Sequence, residues 1–197
     1  MKTTRQLLRG LAAALAFTLL AACSDSGTGE RVLVARPEGG DFVLQSAAGP
    51  LDTKALRGNV LLVYFGYVHC PDICPMTLGQ LQAVVSSPDI AANQARVVMI
   101  SVDGDRDTPA VLKRYLAPVS PDFIGLTGNP RKVRDIAAQF SAVFFQGMPA
   151  DAAGNYLVEH TSQVYLLDKQ GRLHSTFFNA PADVIAAATR QVGLAKP

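Results

Sequence analysis

The reactive side chains of this 197-residue chain are concentrated in Tyr64-Phe-Gly-Tyr-Val-His-Cys-Pro-Asp-Ile-Cys-Pro-Met-Thr-Leu78, which carries Cys70 and Cys74. Such a pair can form a local bridge, cycle as a redox couple, or offer soft ligands to a metal ion. In an ideal helix the two Cβ atoms would stand ~5–6 Å apart, beyond the ~3.5–4.5 Å that a disulfide needs. Pro71 and Pro75 point away from an ideal helix. Pro75 lacks an N–H and disfavours α geometry at the residue before it, so the helix is expected to begin at Pro75, with Cys74 as its N-cap. Cys70 then lies in the preceding turn. Such a turn can close its sulfurs into a bond or open them around an ion, which makes the pair redox-labile. A helix N-terminus favours the thiolate at Cys74, and Asp72 between the sulfurs opposes it. A bridge with a purely structural role is the weaker explanation, because closing so short a loop restricts little chain.

Two thiolates suit Cu(I) or Zn(II), and a neutral imidazole would complete either shell. The chain has three histidines. His69 adjoins Cys70, but neighbouring side chains diverge where a strand ends, so it reads as a supporting or partner-contact residue. His174 falls in a predicted strand and reads as a surface residue. His160, in Val158-Glu-His-Thr161, precedes a predicted strand over 162–168. Met148, in a loop over 146–158, is a minor thioether candidate.

The elements that must position these groups follow from the hydrophobic pattern. Residues 41–46 and 51–52 flank the Ala48-Gly49-Pro50 turn and read as a hairpin. Val60-Leu-Leu-Val-Tyr-Phe65 and Arg96-Val-Val-Met-Ile-Ser-Val102 are continuous apolar runs, as expected of strands covered on both faces. The helix after the cysteines extends to about Ser86. Asp107-Thr108-Pro109 and Asn129-Pro130 each open a further helix, with a short strand at 123–126 between them. Strands over 162–168 and 173–178, and a final helix after Pro181, close the chain. This order predicts an α/β fold: a thioredoxin-like mixed sheet flanked by helices, with an N-terminal β-hairpin. In that topology the loop entering strand 162–168 packs against the cysteine turn, which brings His160 to the sulfurs. Cys70, Cys74 and His160 make a three-ligand set that suits trigonal Cu(I), whereas structural zinc normally takes four ligands. The segment Asp103 to Thr108 reads chiefly as a strand end and helix cap, with Arg106 pairing to Asp103 or Asp107 on the surface. Its place on the strand-end face makes Asp103 and Arg106 weaker candidates for partner docking, alongside His69 and Asp72.

Residues 1–22 read as a leader. Lys2, Arg5 and Arg9 precede an apolar run of signal-peptide length, ending in Leu20-Ala-Ala-Cys23, which resembles a bacterial lipobox. Lipidation at Cys23 is expected, followed by a flexible tether over 23–37 and one domain over 38–195. The whole chain has 18 basic and 16 acidic residues. The leader holds three of the basic ones and no acidic one, which leaves fifteen against sixteen and a net charge of −1. Scattered charge near neutrality gives no electrostatic footprint for nucleic acid.

Phe65-Gly-Tyr-Val-His-Cys-Pro-Asp-Ile-Cys-Pro, Ser101-Val-Asp-Gly-Asp-Arg-Asp-Thr-Pro109, Leu126-Thr-Gly128 and Val158-Glu-His-Thr161 resemble, in order and spacing, the Sco/SenC family over roughly residues 38–192. The resemblance implies a membrane-anchored copper chaperone for the dinuclear copper centre of cytochrome c oxidase. It implies Cys70, Cys74 and His160 as ligands for copper, as Cu(I) and also Cu(II). The partners it implies are the copper-bearing oxidase subunit and other copper chaperones. Many members carry Pro-Glu where this chain has Gly104-Asp105, and a single transmembrane helix where this chain has a lipobox. Together with the leader, the resemblance implies a periplasm-facing, lipid-anchored protein of the bacterial envelope. A thiol–disulfide oxidoreductase or redox sensor using the same cysteines without metal remains the alternative, with a peroxide-reducing enzyme as a weaker third.

Overall fold

The computed structural model describes residues 39–90, 95–147 and 155–195. The leader, Cys23, the tether and Met148 lie outside them. The chain opens with the hairpin β1 (Val43–Ser46) and β2 (Gly49–Asp52), paired antiparallel from Val43↔Asp52 to Ser46↔Gly49. Gly49 takes a φ of 109°, which the tight reversal requires of a residue without Cβ. A 3-10 turn over Thr53–Leu56 follows, capped by the Asp52 side chain, which accepts from the Lys54 amide.

β3 (Val60–Gly66) is buried at every position, as its unbroken apolar run predicts for a central strand. α1 (Ile73–Val85) crosses to β4 (Ala95–Ser101), and α2 (Pro109–Leu116) crosses to β5 (Ile124–Leu126). Crossovers of this kind permit parallel neighbours, and β3 pairs parallel with β4, as β4 does with β5. α3 (Pro130–Gln139), β6 (Phe144–Gln146) and β7 (Val158–His160) come next. β8 (Val164–Leu167) and β9 (Leu173–Phe177) complete the sheet antiparallel, before α4 (Ala182–Leu194). The sheet order is β5-β4-β3-β8-β9. This is the expected mixed sheet with helical crossovers and an N-terminal hairpin.

Both anticipated helix starts carry side-chain caps: Thr108 Oγ1 accepts from the Val111 amide, and Asn129 Oδ1 from the Arg131 amide. Proline follows each cap, where a missing N–H costs nothing. The core beneath the sheet is aromatic. Phe65, Phe140 and Tyr165 meet edge to face with ring centroids 5.3–5.8 Å apart, and Phe42 joins Phe140 at 6.2 Å. These rings tie β3 and β8 to the end of α3 and to the chain entering the hairpin.

Two expectations need correction. α1 begins at Ile73 rather than Pro75, with Asp72 before it making no side-chain cap bond. Pro75 thus occupies the third helical position, where the amide has no intrahelical acceptor to lose. The segment 146–158, expected as loop, is flanked by a two-stranded ribbon: Phe144, Phe145 and Gln146 pair antiparallel with His160, Glu159 and Val158. His160 therefore belongs to a strand of its own, separate from β8.

Candidate metal centre

The site forms where β3 ends and α1 begins. The turn after Gly66 delivers Cys70, and the first turn of α1 holds Cys74 with no solvent exposure. Both cysteines are unbridged. The Cys74 amide donates to Cys70 Sγ at 3.4 Å, so one helix-terminal N–H points at the other cysteine's sulfur. Tyr64 on β3 donates its hydroxyl to Cys74 Sγ at 3.4 Å. His160 Nε2 lies 3.4 Å from the same sulfur.

The opposite ring nitrogen, Nδ1, lies 3.1 Å from the Thr161 carbonyl. A carbonyl only accepts, so Nδ1 carries the proton and Nε2 presents its lone pair to the sulfur. Burial pulls the His160 pKa below the usual imidazole value, which keeps the ring neutral. Its plane is held edge-on by Tyr64 and Tyr67, with centroids 6.0 and 5.7 Å away. Tyr67 also accepts the Val158 amide at 3.2 Å, fastening β7 to the cysteine turn.

The two sulfurs and an imidazole nitrogen thus lie within 4.8 Å of one another. Two thiols and a neutral imidazole are a donor set for a soft or borderline ion, and with three donors the arrangement fits trigonal Cu(I) better than closed tetrahedral zinc. In the metal-free protein, burial pushes the Cys74 thiol up to about 12, assisted by the hydrogen bond with Cys70 and opposed by that from Tyr64. The helix terminus therefore does not make Cys74 acidic here. Desolvation outweighs it, and the thiolate needs a cation to persist.

Gly66 and Tyr64 matter to this geometry, and sequence reasoning did not single them out. A Cβ on Gly66 would stand 2.7 Å from the Tyr64 ring and 3.0 Å from Cys74 Sγ. Only glycine lets the strand end lie so close to both. The Phe-Gly-Tyr signature was visible, but the clash that explains it needs the third dimension.

The segment after β4 braces the site from the other side. Asp107 Oδ2 accepts from the Val68 amide at 3.0 Å and from Ser101 Oγ at 2.7 Å, pinning the cysteine turn to the end of β4. Asp103 accepts from Tyr156 at Oδ1 (2.6 Å) and from Arg106 Nε at Oδ2 (2.5 Å). Arg106 also donates to the Tyr156 carbonyl and lies 3.5 Å over the Tyr156 ring. This corrects the expected surface pairing: Asp103 and Asp107 are buried, and among the described residues Arg106 pairs with Asp103 and not with Asp107. Together they tie down the chain that leads into β7 and His160.

Of the other predicted residues, His69 is exposed on the turn and groups with Asp103 and Asp107 instead of with the sulfurs. Asp72 is exposed beside the start of α1. His174 is exposed on β9, with Nδ1 2.8 Å from Ser175 Oγ. No described helix is long and apolar enough to cross a membrane.

The fold and this Cys-Cys-His cluster define a thioredoxin-like protein with a potential soft-metal site. Residues 32–193 match the SCO1/SenC family model, and the chain belongs to that family. The chain is 37% identical over 141 residues to a SCO2-like protein of Rickettsia conorii, covering 71% of this chain and 69% of that one. It superposes on Bradyrhizobium japonicum ScoI with copper bound at a TM-score of 0.70 and 33% identity, covering 78% of this chain and 98% of that one. It is also similar to BsSco, at a TM-score of 0.65 and 25% identity, covering 82% and 96% of the two chains. BsSco is described as a member of the Sco family of cytochrome c oxidase assembly proteins, and a disulfide switch has been identified in it.

Proposed function

We propose that this protein is a copper-binding assembly factor for cytochrome c oxidase, with Cys70, Cys74 and His160 as its Cu(I) ligands. The observation that carries the reading is the convergence of two buried thiols with an imidazole whose lone pair faces Cys74. Copper-bound ScoI at 33% identity supports the cargo, and the family to which BsSco is assigned supports the pathway. Loading replaces two thiol protons with one cation, so uptake requires the reduced pair and releases protons. Oxidation to a Cys70–Cys74 disulfide removes two electrons and two protons and withdraws both sulfurs, so redox state gates copper uptake.

The domain over 38–195 is held at the periplasmic face of a bacterial membrane by a lipid on Cys23, with 23–37 as tether and 1–22 removed. Its partners are the copper-bearing oxidase subunit, as recipient, and other copper chaperones. A second reading uses the same dithiol to reduce a partner's cysteines. The Cys74 amide on Cys70 Sγ favours it, because that contact holds the sulfur at the mouth of the turn in a fixed orientation.

The test is Cu(I) titration of the reduced protein against a competing chelator, repeated with His160→Ala. The expected result is one Cu(I) per chain, with affinity in the variant falling by at least the ~10–100-fold that loss of even a supporting residue costs a metal site. Unchanged affinity in His160→Ala removes His160 from the ligand set. Absence of Cu(I) binding, with thiol-dependent reduction of a partner intact, establishes the second reading instead.

A further inference from the structure

We propose that His69, Asp103 and Asp107 form a second metal site of different hardness beside the sulfur centre, one that takes a divalent cation of the Cu(II) or Zn(II) kind. One ligand atom from each of the three residues lies within 4.8 Å of the others. The residues come from two separate parts of the chain, the turn after β3 and the segment after β4. The bond from the Val68 amide to Asp107 fixes those parts against each other, which makes the cluster a product of the fold.

Charge and burial single the cluster out. Asp103 is 4% exposed and Asp107 is not exposed at all. Arg106 neutralises Asp103 through a 2.5 Å pair. Among the described residues Asp107 has no such ion-pair partner: Oδ2 receives two neutral donors, and Oδ1 is buried without a hydrogen bond. A fully buried carboxylate with an orphaned oxygen is costly unless a cation approaches it. With Arg106 counted, the cluster retains one unbalanced negative charge, and exposed His69 supplies an imidazole at its solvent side. One imidazole and two carboxylates are donors for Cu(II) or Zn(II), whereas Cu(I) prefers the neighbouring sulfurs.

The inference rests on its own donors and can fail independently of the sulfur site. The test uses the full chain carrying Cys70→Ser, Cys74→Ser and His160→Ala, which removes every donor of the first site. Cu(II) is titrated and followed by electron paramagnetic resonance. One equivalent is expected, with hyperfine coupling to a single imidazole nitrogen and no sulfur-to-copper charge-transfer band. Adding His69→Ala should abolish the nitrogen coupling and weaken binding at least ~10-fold, the lower end of what loss of a supporting residue costs. Asp107→Asn, which keeps an oxygen acceptor for Val68 and Ser101, should weaken it similarly. Where the triple variant does not fold, the disulfide-oxidised chain carrying His160→Ala, with and without His69→Ala, provides the same comparison. Cu(II) binding that is absent, or that survives His69→Ala unchanged, overturns the proposal.

Discussion

The two halves of the sulfur centre are supported in different ways. The cysteine half stands on β3, a central strand buried along its whole length, and on the first turn of α1. The histidine half stands on β7, one of two three-residue strands in a separate ribbon. That ribbon leaves Val143, Phe145 and Leu157 exposed. The ribbon is held to the site by a few side-chain contacts: Val158 to Tyr67, Tyr156 to Asp103, Arg106 to the Tyr156 carbonyl and ring, and the His160 ring against Tyr64, Tyr67 and Cys74. Regions with few buried apolar contacts open at the lowest free energy. The thiols are therefore the fixed side of the centre and His160 the adjustable one.

Overpacking the fixed side should produce the largest effect. Gly66→Ala inserts a methyl 2.7 Å from the Tyr64 ring and 3.0 Å from Cys74 Sγ, at the end of a strand with no room to yield. Overpacking of this kind costs ~1–3 kcal/mol. The urea midpoint should fall accordingly, and Cu(I) affinity should fall with it, since Cys74 itself is displaced. A variant with wild-type midpoint and affinity would mean that the strand end is as adjustable as the ribbon.

How much of this contrast was legible in the sequence differs between the halves. Val60 to Phe65 and Arg96 to Val102 declare themselves as central strands because both faces are apolar, and their order brings the distant His160 to the cysteines. The ribbon was not legible. Three-residue strands have no measurable period, and Phe144 finds His160 only through a non-local pairing. The start of α1 at Ile73 was hidden because proline in a first turn looks the same as proline before one. The burial of Asp103 and Asp107 was hidden because a run of charges ordinarily reads as a solvated surface. It takes Tyr156, some fifty residues away, to cover Asp103.

Loosening the adjustable side should have a smaller and more selective effect. Tyr156→Phe removes the hydroxyl donated to Asp103 and leaves the ring beneath Arg106 in place. A bond to a charged acceptor contributes ~1.5–3 kcal/mol where buried, and less at a partly exposed site such as this. Amide hydrogen exchange should accelerate across 156–160, while the global urea midpoint moves less than for Gly66→Ala. If protection is lost uniformly over the sheet instead, the ribbon is not a separate unit of stability and the contrast between the halves fails.

The subtlest expectation concerns pH, where the halves should fail at opposite ends. Burial lowers the His160 pKa below its ordinary 6.5, so between those two values the folded chain binds fewer protons than the unfolded one. Its contribution is present above 6.5 and is lost as the pH falls through that window. Burial raises the Cys74 thiol from 9.0 to about 12, so above 9 the unfolded chain releases a proton that the folded chain keeps. The Cys74 contribution is present below 9 and is lost as the pH rises toward 12. Asp107, whose pKa burial raises from 3.8, acts in the acid range with the sign opposite to His160. For that reason the quantity to measure is a difference: the stability of the reduced, metal-free wild type minus that of His160→Ala, followed from pH 7 downward. The difference should shrink on acidification, and the corresponding difference against Cys74→Ser should shrink on going alkaline. Differences independent of pH would show that neither group is as desolvated as its position implies, and the proposed Cu(I) site would then owe any affinity to the donors alone instead of to their dry surroundings.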